Sequence, residues 1–258
     1  MRDHLIGMVH LRPLPGAPRF DGSVDAFIER AVDDARVLER AGFDAVIVEN
    51  FGDVPFFKDT VPPITIASMS LAVAKVVDQL SIPVGVNVLR NDALSALAIA
   101  AAAGASFIRV NVLSGLMFTD QGMIEGRATE VARTRAAIAP QIQVFADVFV
   151  KHAVPPAGLE LARAAEDLAF RAGADALILS GSSTGAPTDL GPVAELRAAC
   201  PQVPLLVGSG ATVDSVADLL QQVDGVIVGT DIEIEGRTAN PVDPDRAARF
   251  VRAARTGR

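Results

Sequence analysis

The chain predicts one closed (β/α)8 (TIM) barrel, and three observations carry the prediction. One phrase recurs as Ala41-Gly42-Phe43-Asp44-Ala45-Val46-Ile47-Val48, Ala103-Gly104-Ala105-Ser106-Phe107-Ile108-Arg109-Val110 and Ala172-Gly173-Ala174-Asp175-Ala176-Leu177-Ile178-Leu179. Each copy reads as a helix end, a glycine suited to the left-handed position that stops a helix, and an apolar strand buried on both faces. The length, 258 residues, is that of one such barrel, and a hydrophobic fraction of 50% supplies a large core. Near the C-terminus two apolar runs, residues 203–212 and 224–231, end in Gly208-Ser209-Gly210 and in Gly229-Thr230, with one helix-sized segment between them. This is the pattern of a seventh and an eighth barrel strand whose loops bind phosphate. Small residues let backbone N–H groups approach an anion, and a following helix N-terminus adds partial positive charge.

The elements follow in order. Strands are expected at residues 5–10, 44–49, 82–88, 106–112, 142–149, 175–180, 203–208 and 224–229. Two of them start after a proline, in Ile82-Pro83-Val84-Gly85-Val86 and Val203-Pro204-Leu205-Leu206-Val207. Helical stripes lie between, for example Ile28, Val32, Ala35 and Leu38, and Leu161, Ala165, Leu168 and Ala172. The most apolar stretch, residues 93–108, is broken by Ser95, Gly104 and Ser106, and fits a buried helix and strand better than a membrane span. Alternating strands and helices imply parallel crossovers and barrel closure. The alternative is an open doubly wound sheet, but no G-x-G-x-x-G follows the first strand. Residues 1–258 contain no linker and read as one domain. Three long loops, residues 11–24, 113–126 and 230–242, follow strands and are expected at the catalytic face as lids.

Composition narrows the partners. A net charge of −8 argues against nucleic-acid binding through a basic surface and against attachment to anionic lipid. A local pocket can still hold an anion. Cys200 is the only cysteine, which excludes an intrachain disulfide and reads as a small packed residue. The opening residues lack the basic and apolar blocks of a signal peptide. The expectation is a cytoplasmic protein with no transmembrane segment; homo-oligomerisation stays open.

The strand ends carry His10, Glu49-Asn50, Asn87, Arg109 with Asn111, Asp147, Ser180-Gly181 and the two glycine turns. Strand alternation points Arg109 and Asn111 the same way. With Asn111 at the mouth, Arg109 lies a layer deeper and needs a carboxylate, Asp147 or Glu49. Arg109 then either closes the barrel as an internal ion pair or contacts a ligand. Asn87, Asn111 and Asp147 read as ligand contacts, because this fold places its chemistry at the mouth. Lys151 is one of only three lysines, with Lys58 and Lys75. It can form a Schiff base with a carbonyl substrate, hold an anion, or be a solvated residue past a strand. His152 reads as a general acid or base, or as an exposed loop residue. His4, at the start of the first strand, belongs to the opposite, stability face. No His pair at ligand spacing and no cysteine cluster supports a metal; Mg²⁺ on Glu49 or Asp147 beside a phosphate is possible but not demanded. Ser182-Ser183-Thr184-Gly185 serves either a ligand or a turn.

Taken together, several segments resemble the BtpA family, which includes the SgcQ-type proteins. They are Gly7-Met8-Val9-His10-Leu11 with Pro13-Leu14-Pro15-Gly16, Val48-Glu49-Asn50-Phe51-Gly52-Asp53, Val86-Asn87-Val88-Leu89-Arg90-Asn91 and Ile108-Arg109-Val110-Asn111. Further segments are Thr119-Asp120-Gln121-Gly122, Ala146-Asp147-Val148, Lys151-His152, Ser180-Gly181, Thr184-Gly185, the two glycine turns and Asn240-Pro241-Val242-Asp243. The resemblance implies a phosphate-binding TIM barrel. It also implies links to photosystem I biogenesis in one member and to sugar metabolism in SgcQ-type members; it brings no reaction with it.

Two functions follow as expectations. One is an enzyme of lyase, aldolase or isomerase type acting on a sugar phosphate or similar metabolite. Phosphate would sit on Gly208, Ser209, Gly210, Gly229 and Thr230. Glu49 or Asp147 would be the base, and Lys151 or His152 the acid or electrophile. His10, Asn50, Asn87, Arg109, Asn111, Ser180 and Gly181 would bind substrate. The alternative is a non-catalytic assembly or stability factor that keeps the barrel as a scaffold and exposes an apolar patch. Phe51, Phe56 and Phe57 would form part of that patch, or else wall the substrate pocket.

Overall fold

The computed structural model describes residues 4–180 and 191–256. Among these, eleven strands are numbered in chain order. Eight close into a barrel: β1 (His4–His10), β2 (Ala45–Glu49), β3 (Val84–Asn87), β4 (Phe107–Val110), β7 (Gln143–Asp147), β9 (Ala176–Leu179), β10 (Leu205–Val207) and β11 (Gly225–Val228). Every neighbouring pair is parallel, and β11 returns to β1. The intervening helices are α1 (Val24–Ala41), α2 (Pro63–Gln79), α3 (Ala93–Ala103), α4 (Ala128–Ile138), α5 (Leu161–Glu166), α6 (Gly191–Ala199), α7 (Val216–Leu220) and α8 (Pro244–Thr256). All eight expected strands are present, each trimmed at one or both ends except the first.

The recurring phrase works as its residues dictate. Ser23 Oγ caps α1 through the Ala26 N–H at 3.2 Å, and Asp92 Oδ1 caps α3 through the Ser95 N–H at 3.0 Å. Gly42, Gly104 and Gly173 take left-handed φ values of 99°, 79° and 76°, which ends each helix and starts the next strand. The apolar face of α1 is rotated from the expected stripe. Phe27, Ala31, Ala35 and Leu38 are buried, together with Asp34, whereas Ile28 and Val32 flank that face half-buried.

Inside the barrel, period-two alternation stacks side chains in layers. Ile6, Met8, Ala45, Ile47, Phe107, Phe145, Ala176, Ile178, Leu206 and Ile227 form one cluster, with the Phe107 and Phe145 rings stacked at 4.6 Å. Gly85 faces the same space, and a Cβ there would collide with the Phe107 ring. Two residues further along each strand come His10, Glu49, Asn87, Arg109, Asp147, Ser180, Gly208 and Gly229. The same parity that builds the apolar plug therefore sets a polar ring directly on top of it.

The segment 113–126, expected as a lid loop, contains an antiparallel hairpin of β5 (Leu116–Thr119) and β6 (Gly122–Glu125). A third short strand, β8 (Ala153–Val154), pairs with β5. Asp120-Gln121 turns the hairpin, and Met117 and Ile124 pack with Val112 and Val150 beneath it. Alternation leaves Phe118, Met123 and Val154 exposed on the other face. This sheet ties the chain after β4 to the chain after β7 and so places Asp120, Gln121, Lys151 and His152 together at the barrel mouth. None of the helices among the described residues is long and apolar enough to cross a membrane.

Candidate functional site

The deepest part of the polar ring is an ion pair. Arg109 Nε and Nη2 donate to Asp147 Oδ2 and Oδ1, both at 2.9 Å. Asn111 Nδ2 donates to Asp147 Oδ2 at 3.2 Å, and Ser180 Oγ to Oδ1 at 2.6 Å. Asn87 Nδ2 donates to the Arg109 carbonyl at 3.1 Å and to Asn111 Oδ1 at 3.4 Å. Burial pulls the Arg109 pKa down, but the Asp147 carboxylate more than offsets it, and the net shift is upward. With four donors on its two oxygens, Asp147 has no lone pair directed at a substrate. We therefore revise its expected role as a base: it anchors Arg109, Asn111 and Ser180.

Above this pair lies a cavity of about 470 Å³. One wall carries His10, Glu49, Phe51 and Phe56; the second carries Arg90, Lys151, His152, Asp120 and Gln121. The third is built from residues 208–212 and 229–231 with Arg246, and Arg109 and Asn111 reach the floor. Of the expected site residues, Asn50, Asn87, Asp147 and Ser180 do not line it, and Gly181 lies outside the described residues, as does the 182–185 run. Asn50 is one residue past the inward-facing Glu49 and points away from the axis. Its Oδ1 accepts from Leu89 N at 2.7 Å and its Nδ2 donates to Asp53 Oδ2 at 3.1 Å, so it clamps two loops rather than a ligand. Phe57 is exposed and does not wall the cavity, unlike Phe51 and Phe56.

His10 is gripped from two sides. Its Nδ1 lies 2.6 Å from Glu233 Oε1, and its Nε2 lies 3.7 Å from Glu49 Oε1. With Glu233 ionised, the short contact puts a proton on Nδ1. Glu233 is buried, and sequence reasoning missed it. The available signal was a carboxylate set between Ile232 and Ile234 in a polar loop. Arg90 was missed as a site residue in the same way. Its side chain is buried, Nη2 donates to the Lys151 carbonyl at 2.8 Å, and Nε has no hydrogen-bond partner among the described residues.

The glycine turns serve more than an anion. A Cβ on Gly208 would strike Ile178 and sit 3.2 Å from Arg109 Nη2; one on Gly229 would sit 2.7 Å from His10 Cε1. Their smallness makes room for two site side chains. The Gly208 N–H is already bonded to the Leu179 carbonyl at 2.8 Å. In the turn between β10 and α7, Thr212 N donates to Ser215 Oγ at 3.0 Å and Val213 N to Asp231 Oδ2 at 3.0 Å. Those two N–H groups are therefore not open to an anion. Among the described residues, the N–H groups of Gly210, Ala211 and Thr230 have no hydrogen-bond acceptor and belong to the third wall.

Lys151 is half-buried, and its ammonium forms no ion pair among the described residues. Burial lowers its pKa, as do Arg109 and Arg90, against the opposing pull of Glu49 and Asp147. His152, in a left-handed conformation at φ 57°, is pushed down by burial and then by Lys151 and Arg90. The lysine shift makes a prediction. Between the lowered folded pKa and the unfolded value of 10.5 the unfolded chain binds more protons, so stability rises with pH across that window. Below the window the penalty is fully present. Lys151→Met is expected to unfold at higher urea than the native protein at pH 7, with the difference shrinking as pH approaches 10.5. A difference independent of pH would overturn this account. No group of three or more His, Cys, Asp and Glu residues among those described is placed to hold a metal ion.

Fold and site together define the class: a (β/α)8 barrel with a polar, partly charged cavity at the C-terminal ends of its strands. The sequence profile of the BtpA family matches residues 1–256. Photosystem I biogenesis protein BtpA of Synechocystis sp. is 45% identical over 253 residues, covering 98% of this chain and 88% of that protein. Uncharacterized protein TK2179 of Thermococcus kodakarensis is 49% identical over 254 residues, 98% of this chain and 96% of the other. The chain belongs to the BtpA family. The solved structure of N-(5'-phosphoribosyl)anthranilate isomerase from Pyrococcus furiosus superposes with a TM-score of 0.60 at 15% identity, covering 98% of each chain. At that identity the likeness is one of fold alone.

Proposed function

We propose that the protein is an enzyme that binds a phosphorylated small molecule at the barrel mouth and transfers protons on it in an isomerase- or lyase-type reaction. The observation that carries this reading is one cavity with two unlike walls. On one side lie Gly210, Ala211 and Thr230, whose N–H groups have no acceptor among the described residues, beside Arg246, whose Nε donates to the Asp231 carbonyl at 2.7 Å. Such N–H groups and a nearby cation suit phosphate oxygens. The same cavity is lined by Lys151, with its depressed pKa, and by His10 and Glu49.

In this reading His10, oriented by Glu233, exchanges a proton through Nε2, with Glu49 as its partner or as the receiving base. Lys151 stabilises negative charge developing on a carbonyl oxygen. In its neutral form it attacks the carbonyl carbon instead, giving an imine with loss of water. Arg109 and Asn111 orient the substrate from the floor. The fold is shared with an isomerase named for a phosphoribosyl compound, which agrees with the class without naming the substrate. A non-catalytic assembly or stability factor gives no reason to bury Glu233 against His10 and Arg90 beside an open cavity.

Calorimetric titration with glycerol 3-phosphate tests the phosphate seat. Thr230→Asp is expected to weaken binding about tenfold or more, because it sets a carboxylate against the anion. Equal affinity in the two proteins would move phosphate away from these loops. Turnover is read by proton NMR in D₂O on a panel of sugar phosphates, where exchange at a carbon next to a carbonyl is the expected signature.

A further inference from the structure

Arg90 and Lys151 are two neighbouring cations that no carboxylate among the described residues meets in an ion pair. The Arg90 side chain sits on the second wall, only 6% exposed, with Nε lacking any hydrogen-bond partner among the described residues. Its Nη2 is tied to the Lys151 backbone carbonyl, which holds the guanidinium next to that lysine's own chain. Neither side chain forms an ion pair among the described residues. The other charged groups nearby are committed or too distant to pair: Asp147 is bound to Arg109, Glu49 faces His10, and Asp120 on the hairpin turn stays beyond ion-pair distance. Asp147, Asp120 and Glu49 all pull the Arg90 pKa up, yet burial still leaves it lowered.

A buried guanidinium with an idle donor is costly unless something supplies the missing acceptor. The planar Nε edge of arginine matches a carboxylate, and Lys151 offers a second cation beside it. We infer that the ligand of this cavity carries a carboxylate, seated on Arg90 and Lys151, at the end opposite its phosphate. The inference rests on the phosphate-binding reading above and deepens it: the substrate class becomes a phosphorylated carboxylic acid. The phosphate loops and the Arg90 wall then act as two anchors that stretch the reacting carbons past His10 and Glu49.

Matched ligands, compared by calorimetry at pH 7, test it. 3-Phosphoglycerate is set against glycerol 3-phosphate, and 6-phosphogluconate against glucitol 6-phosphate, so that two spans are sampled. The native protein is expected to bind the carboxylate member about tenfold or more tightly in at least one pair. In Arg90→Gln that advantage is expected to vanish while affinity for the plain phosphate stays. Lys151→Met, which leaves the Lys151 backbone tie intact, is expected to cut the same advantage and serves if Arg90→Gln does not fold. Binding of plain phosphates with no gain from the carboxylate at either span overturns the inference alone, as does a gain that survives both substitutions. If no phosphorylated ligand binds, the phosphate seat fails and the carboxylate seat falls with it.

Discussion

Asp147→Leu is expected to destabilise the protein by about 3–5 kcal/mol, the cost of stranding a buried charge. The Arg109 and Asp147 side chains are 4% and 0% exposed, and the carboxylate accepts all four of the hydrogen bonds described above. Leucine removes every Asp147 acceptor at once and leaves an almost fully buried guanidinium without its counter-ion. Arg109→Met combined with Asp147→Leu is expected to recover much of the loss, because two apolar side chains of similar volume continue the plug formed by Phe107, Phe145 and Ile178. Urea unfolding of the native protein, both single variants and the double variant supplies the cycle. If Asp147→Leu costs less than about 1 kcal/mol, the pair does not hold the mouth of the barrel together.

The second large effect is catalytic. His10→Gln is expected to lower turnover of a phosphorylated substrate by about 10²–10⁴-fold, the usual worth of a positioned acid or base. Glutamine keeps a donor for Glu233 but cannot shuttle a proton, so phosphate affinity and folding should change little. Glu233→Gln is expected to have a smaller effect and to move the pH–rate profile, because the short Nδ1 contact would lose its charge. Unchanged turnover in His10→Gln, with phosphate still bound, would assign the proton transfer to other groups.

Much of this was legible in the chain because it is written locally. Apolar runs, helix-stopping glycines and capping residues act over a few positions, and they mark all eight barrel strands. The alternation rule also told which strand-end residues share a face, so Arg109 was correctly set beneath Asn111. The same rule, applied to Asn50, would have excluded it from the cavity, since its neighbour Glu49 faces inward. The hairpin at residues 116–125 was harder to see, because four-residue strands around a polar turn look like loop.

By itself, then, the sequence determined the barrel, the parity of its side chains and the band where polar residues gather, since each rests on short-range periodicity. The tertiary structure alone decided who meets whom in that band. It joined His10 to Glu233 across 223 positions of chain and chose Asp147 over Glu49 for Arg109. It brought Arg90 to the Lys151 carbonyl and turned the glycines of the last two loops into clearance for Arg109 and His10. These choices depend on how the strands stagger when the barrel closes and on where long loops return, and no local pattern encodes either.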